Sequence, residues 1–212
     1  MGKTTTVIWD WNGTLLDDAS VCVAAINDML RERSLPQLSA ERYQEIFCFP
    51  VSEYYRKAGF DFSKEPFERL AVLYHERYLA ASERCPLCEG ALDTLQELQR
   101  RGVRQAVLSA SHQRHLLWQM GLFGLLGYFD EILGVSDIYA RSKAELGQDF
   151  VRRRGLDPAG VLLVGDTEHD YETARAIGCR CLLIPGGHQS PGRLRRSGAT
   201  VLSSRKEILE YL

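Results

Sequence analysis

No stretch of this sequence approaches the ~20 consecutive apolar residues that a membrane span needs. Its opening, MGKTTTVIWDWNG, also lacks the apolar core of a signal peptide. Neither membrane insertion nor export is expected, which leaves a cytoplasmic protein. Met1-Gly2 followed by Thr6 admits a myristoylation reading, but Thr4 to Thr6 read better as the start of a strand. Charge of one sign is missing as well. With 26 Lys and Arg against 28 Asp and Glu, the formal charge is −2, and no net field steers the chain toward nucleic acid or anionic lipid. Internal repeats and low-complexity tracts are absent, which excludes solenoids, collagen and disordered linkers. Six cysteines could staple a small secreted domain, but without an export signal they read as reduced thiols. Cys85 and Cys88 (CxxC) with Cys179 and Cys181 (CxC) could supply four zinc ligands. The CxC lies in a buried-strand pattern, GCRCLLIP, so packing is the expected role of that pair.

What is present is ordinary globular composition, 45% apolar and 25% charged over 212 residues. That suits one large domain, or a domain with an insertion. From about position 86, short β-branched runs alternate with helical patterns. The runs are VRQAVLSA (103–110), FDEILGV (129–135), GVLLVGD (160–166), CRCLLIP (179–185) and a weak ATVLSS (199–204). The segments ALDTLQELQRRG, AELGQDFVRRRG and YETARAIG lie between them, each ending in a Gly suited to a helix C-terminus. Such alternation predicts a parallel sheet covered on both faces. One more strand, TTTVIWDW, stands alone at the start. Between 17 and 84 only helical periodicity occurs. Cys22, Ala25, Ile26, Met29 and Leu30 share one face, as do Phe67, Leu70, Ala71, Tyr74, Tyr78 and Leu79. Pro50 and Gly59 bound a short helix between them. The expected architecture is a three-layer, Rossmann-like α/β core (1–16 and 85–212) with an inserted helical cap (17–84).

In open α/β sheets, ligands bind beyond the carboxyl ends of the strands. There the sequence places Asp10-Trp11-Asn12-Gly13-Thr14, Ser109-Ala110-Ser111 and Gly165-Asp166-Thr167, with Asp170 four residues after Asp166. Lys143 opens the helix before the 160–166 strand. Carboxylates and a carbonyl make an oxygen-only site, suited to Mg²⁺ rather than zinc. Each residue alone has a plainer use: Asp10 and Asp166 as turn formers, Asp170 as a first-turn acid, Ser109 as a strand-end hydroxyl, Lys143 as a surface charge. Their joint occurrence at strand ends is what points to a site.

These motifs resemble those of the haloacid dehalogenase superfamily, and the resemblance covers essentially the whole chain. VIWDWNGTLLDD is similar to that family's first motif, VLSAS to its second, and VGDTEHD to its fourth. Lys143, 23 residues before Asp166, stands where the third motif's Lys would. The helical insert resembles that family's α-helical cap, and PGGHQSPGRLRR a loop of its phosphoglycolate-phosphatase-like members. The resemblance implies a Mg²⁺-dependent phosphatase acting on a small phosphorylated metabolite, in which Asp10 attacks phosphorus and forms an aspartyl phosphate. Mg²⁺ would be held by Asp10, the Asn12 carbonyl and Asp166, with Asp170 close by. Ser109 and Lys143 would bind the phosphoryl oxygens. Keeping both Asp166 and Asp170 argues against the metal-free dehalogenase branch.

One departure from the family pattern is chemical. The family's phosphatases carry an Asp two residues after the nucleophile as acid/base, and this chain has Asn12. An amide cannot shuttle a proton at neutral pH, and such assistance is typically worth about 10²–10⁴-fold. Two rivals therefore stand beside the phosphatase: a phosphate- or partner-binding protein without turnover, and a phosphotransferase. Tyr54, Tyr55, Arg56 and Lys57 are candidate cap contacts to substrate, against a plainer reading as a core aromatic pair beside a solvated basic pair. His169 is expected at the crevice mouth. Arg152, Arg153, Arg154, Arg193, Arg195 and Arg196 are expected at the surface. No partner beyond the metabolite is expected, neither nucleic acid nor membrane, and the chain reads as monomer or dimer.

Overall fold

The computed structural model of the chain describes residues 3–136 and 142–212; Met1 and Gly2, where the myristoylation reading would act, lie outside them. The lone first strand, β1 (Thr6–Trp9), is buried along its whole length. A central parallel strand is covered on both faces, which is why TVIW runs apolar instead of alternating. The chain then forms four helices: α1 (Ala19–Glu32), α2 (Ala40–Ile46), α3 (Val51–Ala58) and α4 (Phe67–Ser82). The buried residues of α1 are the five whose spacing predicted its face, Cys22, Ala25, Ile26, Met29 and Leu30. Pro50 precedes α3 and Gly59 ends it at φ 111°, a left-handed conformation that costs glycine little. These helices close their own apolar cluster, centred on Ile26, Leu30, Tyr43, Tyr54, Tyr55 and Leu70. They constitute the inserted cap.

The remainder alternates as expected: α5 (Ala91–Arg100), β2 (Arg104–His112), α6 (Gln113–Leu122), β3 (Glu131–Val135), α7 (Lys143–Arg153), β4 (Val161–Gly165), α8 (Glu168–Ile177), β5 (Arg180–Leu183), α9 (Pro191–Arg196) and β6 (Thr200–Val201). The strands lie in the order β3-β2-β1-β4-β5-β6, and every pairing is parallel. Alternate residues feed two cores. Val7, Trp9, Val107, Leu162 and Val164 pack on one side with Leu95 and Leu98 of α5 and Leu116 and Met120 of α6. Ile8, Ala106, Leu108 and Leu163 pack on the other with Phe150 of α7 and Ala174 of α8. Three layers result.

Some local expectations change. The weak run at 199–204 contributes only Thr200 and Val201 to the sheet. Helices α2, α6 and α9 were not anticipated. In α6 the apolar residues are split between faces: Leu116 and Met120 are buried while Leu117, Trp118 and Leu122 are exposed, which blurs the 3.6-residue period. All six cysteines are free. Cys85 and Cys88 belong to the first core, and Cys179 and Cys181 pack against the second. The sheet separates the two pairs, so they form no common zinc site. Among the described residues no helix is long and apolar enough to cross a membrane.

Candidate active site

Strand order reverses between β1 and β4, the place where an open α/β sheet leaves a ligand crevice. Asp10 leaves β1 and Asp166 leaves β4 at that point. Gly13 turns the chain at φ +71°, and a Cβ there would collide with the Asp166 carboxylate, so only glycine fits. Ser142 caps α7 with Glu145 in a reciprocal capping box, and this fixes Lys143 at the helix start. The Lys143 ammonium donates to Asp10 Oδ1 and, at 2.5 Å, to Asp170 Oδ1. The other Asp170 oxygen accepts from the Thr167 hydroxyl and amide at 2.6 and 3.0 Å. Asp170 thus does both things the sequence left open: it stabilises the first turn of α8 and faces the crevice. Gly165 makes room for it, since a Cβ there would meet the Asp170 carboxyl. The Thr14 hydroxyl sits 3.1 Å from Asp166 Oδ1 and 3.4 Å from Asp10 Oδ2. Ser109 Oγ, just after Leu108 where the β2–β3 register shifts, is 3.5 Å from Asn12 Oδ1. The six residues singled out from the sequence, Asp10, Asn12, Ser109, Lys143, Asp166 and Asp170, converge on one place.

That place is nearly dry. Asp10 is 7% exposed, Lys143 5% and Asp166 0%. Burial, reinforced by the Asp170 and Asp166 charges, pushes the Asp10 carboxyl up to about 7 in spite of Lys143. Burial likewise raises Asp166 to about 6, against the pull of His188. Asp170 stays below its ordinary value, because the Lys143 ammonium outweighs burial there. Burial opposes the Lys143 charge too, yet Asp10 and Asp170 carry its pKa above the ordinary value. Three carboxylates, whose ligand oxygens lie within 4.8 Å of one another, face a single lysine. This surplus of buried negative charge and the oxygen-only donor set fit a hard divalent cation such as Mg²⁺.

The sequence reading missed the second half of the site. Asn12 Nδ2 lies 2.7 Å from Asp18 Oδ2 and 2.7 Å from the Tyr78 hydroxyl, while Ser111 Oγ donates to Asn12 Oδ1 at 2.7 Å. Asp18 is fully buried and faces His188 Nε2 at 3.4 Å. Burial disfavours a charged His188, but Asp18, Asp166 and Asp10 raise it to about 9. The partner shift is downward: Asp18 is held below its ordinary value, the His188 charge and hydrogen bonds overcoming burial. His188 also donates its amide to Asp166 Oδ2 at 2.6 Å, and its Nδ1 lies 2.8 Å from the Tyr43 hydroxyl of the cap. A charged residue directly after Asp17, and a lone His in GGHQS, were the available signals.

The cap is fastened to the same loop. Gln44 donates to the Gly187 carbonyl, and Gln189 to the Phe47 carbonyl. Phe49 stacks on His169 with ring centres 4.4 Å apart, which puts His169 where cap meets core. Arg193 is not a plain surface residue, since it binds Glu168 and the Glu45 and Phe47 carbonyls. Arg195 and Arg196 are exposed, as are Arg152, Arg153 and Arg154. Tyr54 and Tyr55 are core aromatics of the cap. Arg56 binds Glu53 and lies over Phe62, and Lys57 reaches Cys48 Sγ. The plainer reading of these four residues is the one their contacts support.

The profile of the haloacid dehalogenase-like hydrolases matches residues 7–184, from β1 to the end of β5. The chain belongs to that family. Phosphoglycolate phosphatase 1 of Pseudomonas aeruginosa is 25% identical to this hydrolase over 211 residues, covering 96% of this chain and 78% of that protein. The tyrosine-protein kinase PtkA of Mycobacterium tuberculosis is 28% identical over 207 residues, with 96% and 70% covered. In fold, the hydrolase superimposes on a haloacid dehalogenase-like hydrolase from Streptococcus pneumoniae with a TM-score of 0.86 at 21% identity, over 100% of this chain and 99% of that one.

Proposed function

We propose that this hydrolase is a Mg²⁺-dependent phosphatase that cleaves the phosphomonoester of a small metabolite through an aspartyl phosphate on Asp10. The observation that carries the reading is the buried Lys143 ammonium bonded to both Asp10 and Asp170, with Asp166 alongside. Lys143 fixes Asp10 Oδ1 and leaves Oδ2 to attack phosphorus. As the P–O bond to the leaving group breaks, Lys143 and Ser109 take up charge on the phosphoryl oxygens. Water then releases phosphate and restores Asp10. Asp10, the Asn12 carbonyl and Asp166 would hold the cation, which when bound screens the nucleophile from its anionic substrate. Both Asp170 oxygens are engaged by Lys143 and Thr167, so Asp170 would act on the cation from a second layer. The relatives' names support phosphoglycolate-like substrates. Release of phosphate from acyl, aryl and alkyl phosphates with Mg²⁺, its reversible loss with EDTA, and acid-stable label trapped on Asp10 test the reading together. Metal-independent release, or turnover without label, would overturn it.

Asn12 sets an expectation about leaving groups. Its amide is saturated by Ser111, Asp18 and Tyr78 and delivers no proton, so the leaving group's own acidity governs the first step. Aryl and acyl phosphates should outrun alkyl phosphates. Asn12→Asp introduces a carboxyl 2.7 Å from Asp18 Oδ2, and two carboxyls so close share one proton. The alkyl gain of about 10²–10⁴-fold that acid–base assistance supplies is therefore expected in full only in Asn12→Asp with Asp18→Asn, and partly in the single variant. The check is kcat for one alkyl and one aryl phosphate in all three proteins. Identical alkyl rates would show that another group already handles the proton. The relative named a tyrosine-protein kinase supports a second reading, transfer of the phosphoryl group to an acceptor hydroxyl instead of water. Trapped label that persists until an alcohol is added would support it.

A further inference from the structure

A second cluster of ligand-type side chains lies on the seam between cap and core, away from the carboxylates. His75 of α4 and His115 of α6 meet with Nε2 and Nδ1 2.9 Å apart, their rings 4.5 Å between centres. His112, which caps α6, lies with its ring 5.4 Å from that of His115. The hydrogen bonds of these three imidazoles go to one another and to the Arg114 amide, 3.3 Å from His112 Nδ1. All three residues are half-buried, so the cluster is reachable from solvent. We propose that His75 and His115 form a two-imidazole site for a divalent cation of the zinc, nickel or copper class that clasps the cap to the core.

The chemistry separates this site from the crevice. Imidazole nitrogens suit borderline metals, whereas the oxygen-only carboxylate set suits Mg²⁺. A histidine ligand must be neutral. Burial and the neighbouring imidazoles keep both His75 and His115 below their ordinary pKa, so both are uncharged at pH 7. In the metal-free pair one ring nitrogen donates its hydrogen to the other. A bound cation takes the place of that hydrogen, which moves to the far nitrogen of its own ring, so each imidazole stays neutral. Two nitrogens at 2.0–2.1 Å from a tetrahedral metal lie about 3.3 Å apart, and the pair need open by only about 0.4 Å. Water completes the shell. The helices are already held side by side below the histidines, where Gln119 donates to Ser82 Oγ at 3.0 Å.

The test uses the full chain without an affinity tag, with Mg²⁺ in excess to occupy the carboxylate site. Zn²⁺ is titrated by calorimetry, and one equivalent of Cu²⁺ is read by electron paramagnetic resonance. Expected are one Zn²⁺ per chain, nitrogen splitting from at least two imidazoles on Cu²⁺, and at least tenfold weaker Zn²⁺ binding in both His75→Gln and His115→Gln. Hydrogen exchange at α4 and α6 should slow when Zn²⁺ is added and should not in the His75 variant. No binding by the parent, or binding unchanged in both single variants, would overturn the proposal, the latter by placing the metal elsewhere. Glutamine at half-buried positions keeps a hydrogen-bonding group, and a thermal melt in EDTA shows that each variant is folded before it is titrated.

Discussion

Asp10→Asn should abolish turnover and, at alkaline pH without divalent cations, make the protein more stable. Removing a covalent nucleophile costs on the order of 10⁶-fold where it has been dissected, and the amide cannot form the acyl phosphate. The stability gain follows from the crowded carboxylates. Asp10 titrates at about 7 when folded against an ordinary 3.8. The folded chain therefore holds that proton more tightly than the unfolded chain, and stability falls as pH rises between those two values. At pH 8 an ionised Asp10 costs a few kcal/mol, which the neutral amide avoids. At pH 4 nothing is gained. The melting temperature of the variant should exceed that of the parent by several degrees at pH 8, and the difference should shrink toward zero in acid. Mg²⁺ should raise the parent's melting temperature at pH 8 more than the variant's. A pH-independent difference would refute the charge argument, and retained phosphatase activity would remove Asp10 as nucleophile.

Lys143→Met should have the opposite effect on stability. Lys143 is the buried cation between two carboxylates, and removing one partner from a buried ion pair typically costs about 3–5 kcal/mol. For a domain of this size that lowers the melting temperature by roughly 10 °C. Turnover should fall at least about 10²-fold, the usual penalty for losing one preorganised donor to developing charge. The deficit should be largest at pH 8 and smaller near pH 5, where Asp10 takes up its proton. Measured melting curves at both values decide the matter. A deficit of equal size at each pH would mean that Lys143 stabilises through packing of its stem, not through its charge.

What was legible in the sequence is what recurs at short range. The apolar run of β1, the Gly-Asp at the end of β4 and the glycines behind α5, α7 and α8 are local signals, and they placed the sheet and the strand-end acids. Lys143 was readable because it opens the helix before β4 and stands 23 residues before Asp166, the place of the third motif's Lys. Asp18 and His188 were not readable, because nothing in the sequence relates two residues so far apart. Their pairing exists only once the last crossover brings the 186–190 loop over the first strand's turn. The cap was readable as helices, but which of its faces looks into the crevice was not. Tyr54, Tyr55, Arg56 and Lys57 stand together in sequence, yet the residues that touch the core loop are Tyr43, Gln44, Glu45 and Phe47. Aromatic composition shows that a face is buried, not what it is buried against.

His188 has two attachments that pull on different parts of the machine. Its ring meets Tyr43 of the cap, and its amide holds Asp166 Oδ2. Any displacement of the helical insert from the core would break the contact between Tyr43 and His188. Without it the 187–189 backbone would keep one brace fewer behind the amide that aims Asp166. The helical insert and a carboxylate of the crevice thus share one pin, and a change at Tyr43 would be felt at Asp166 without touching it.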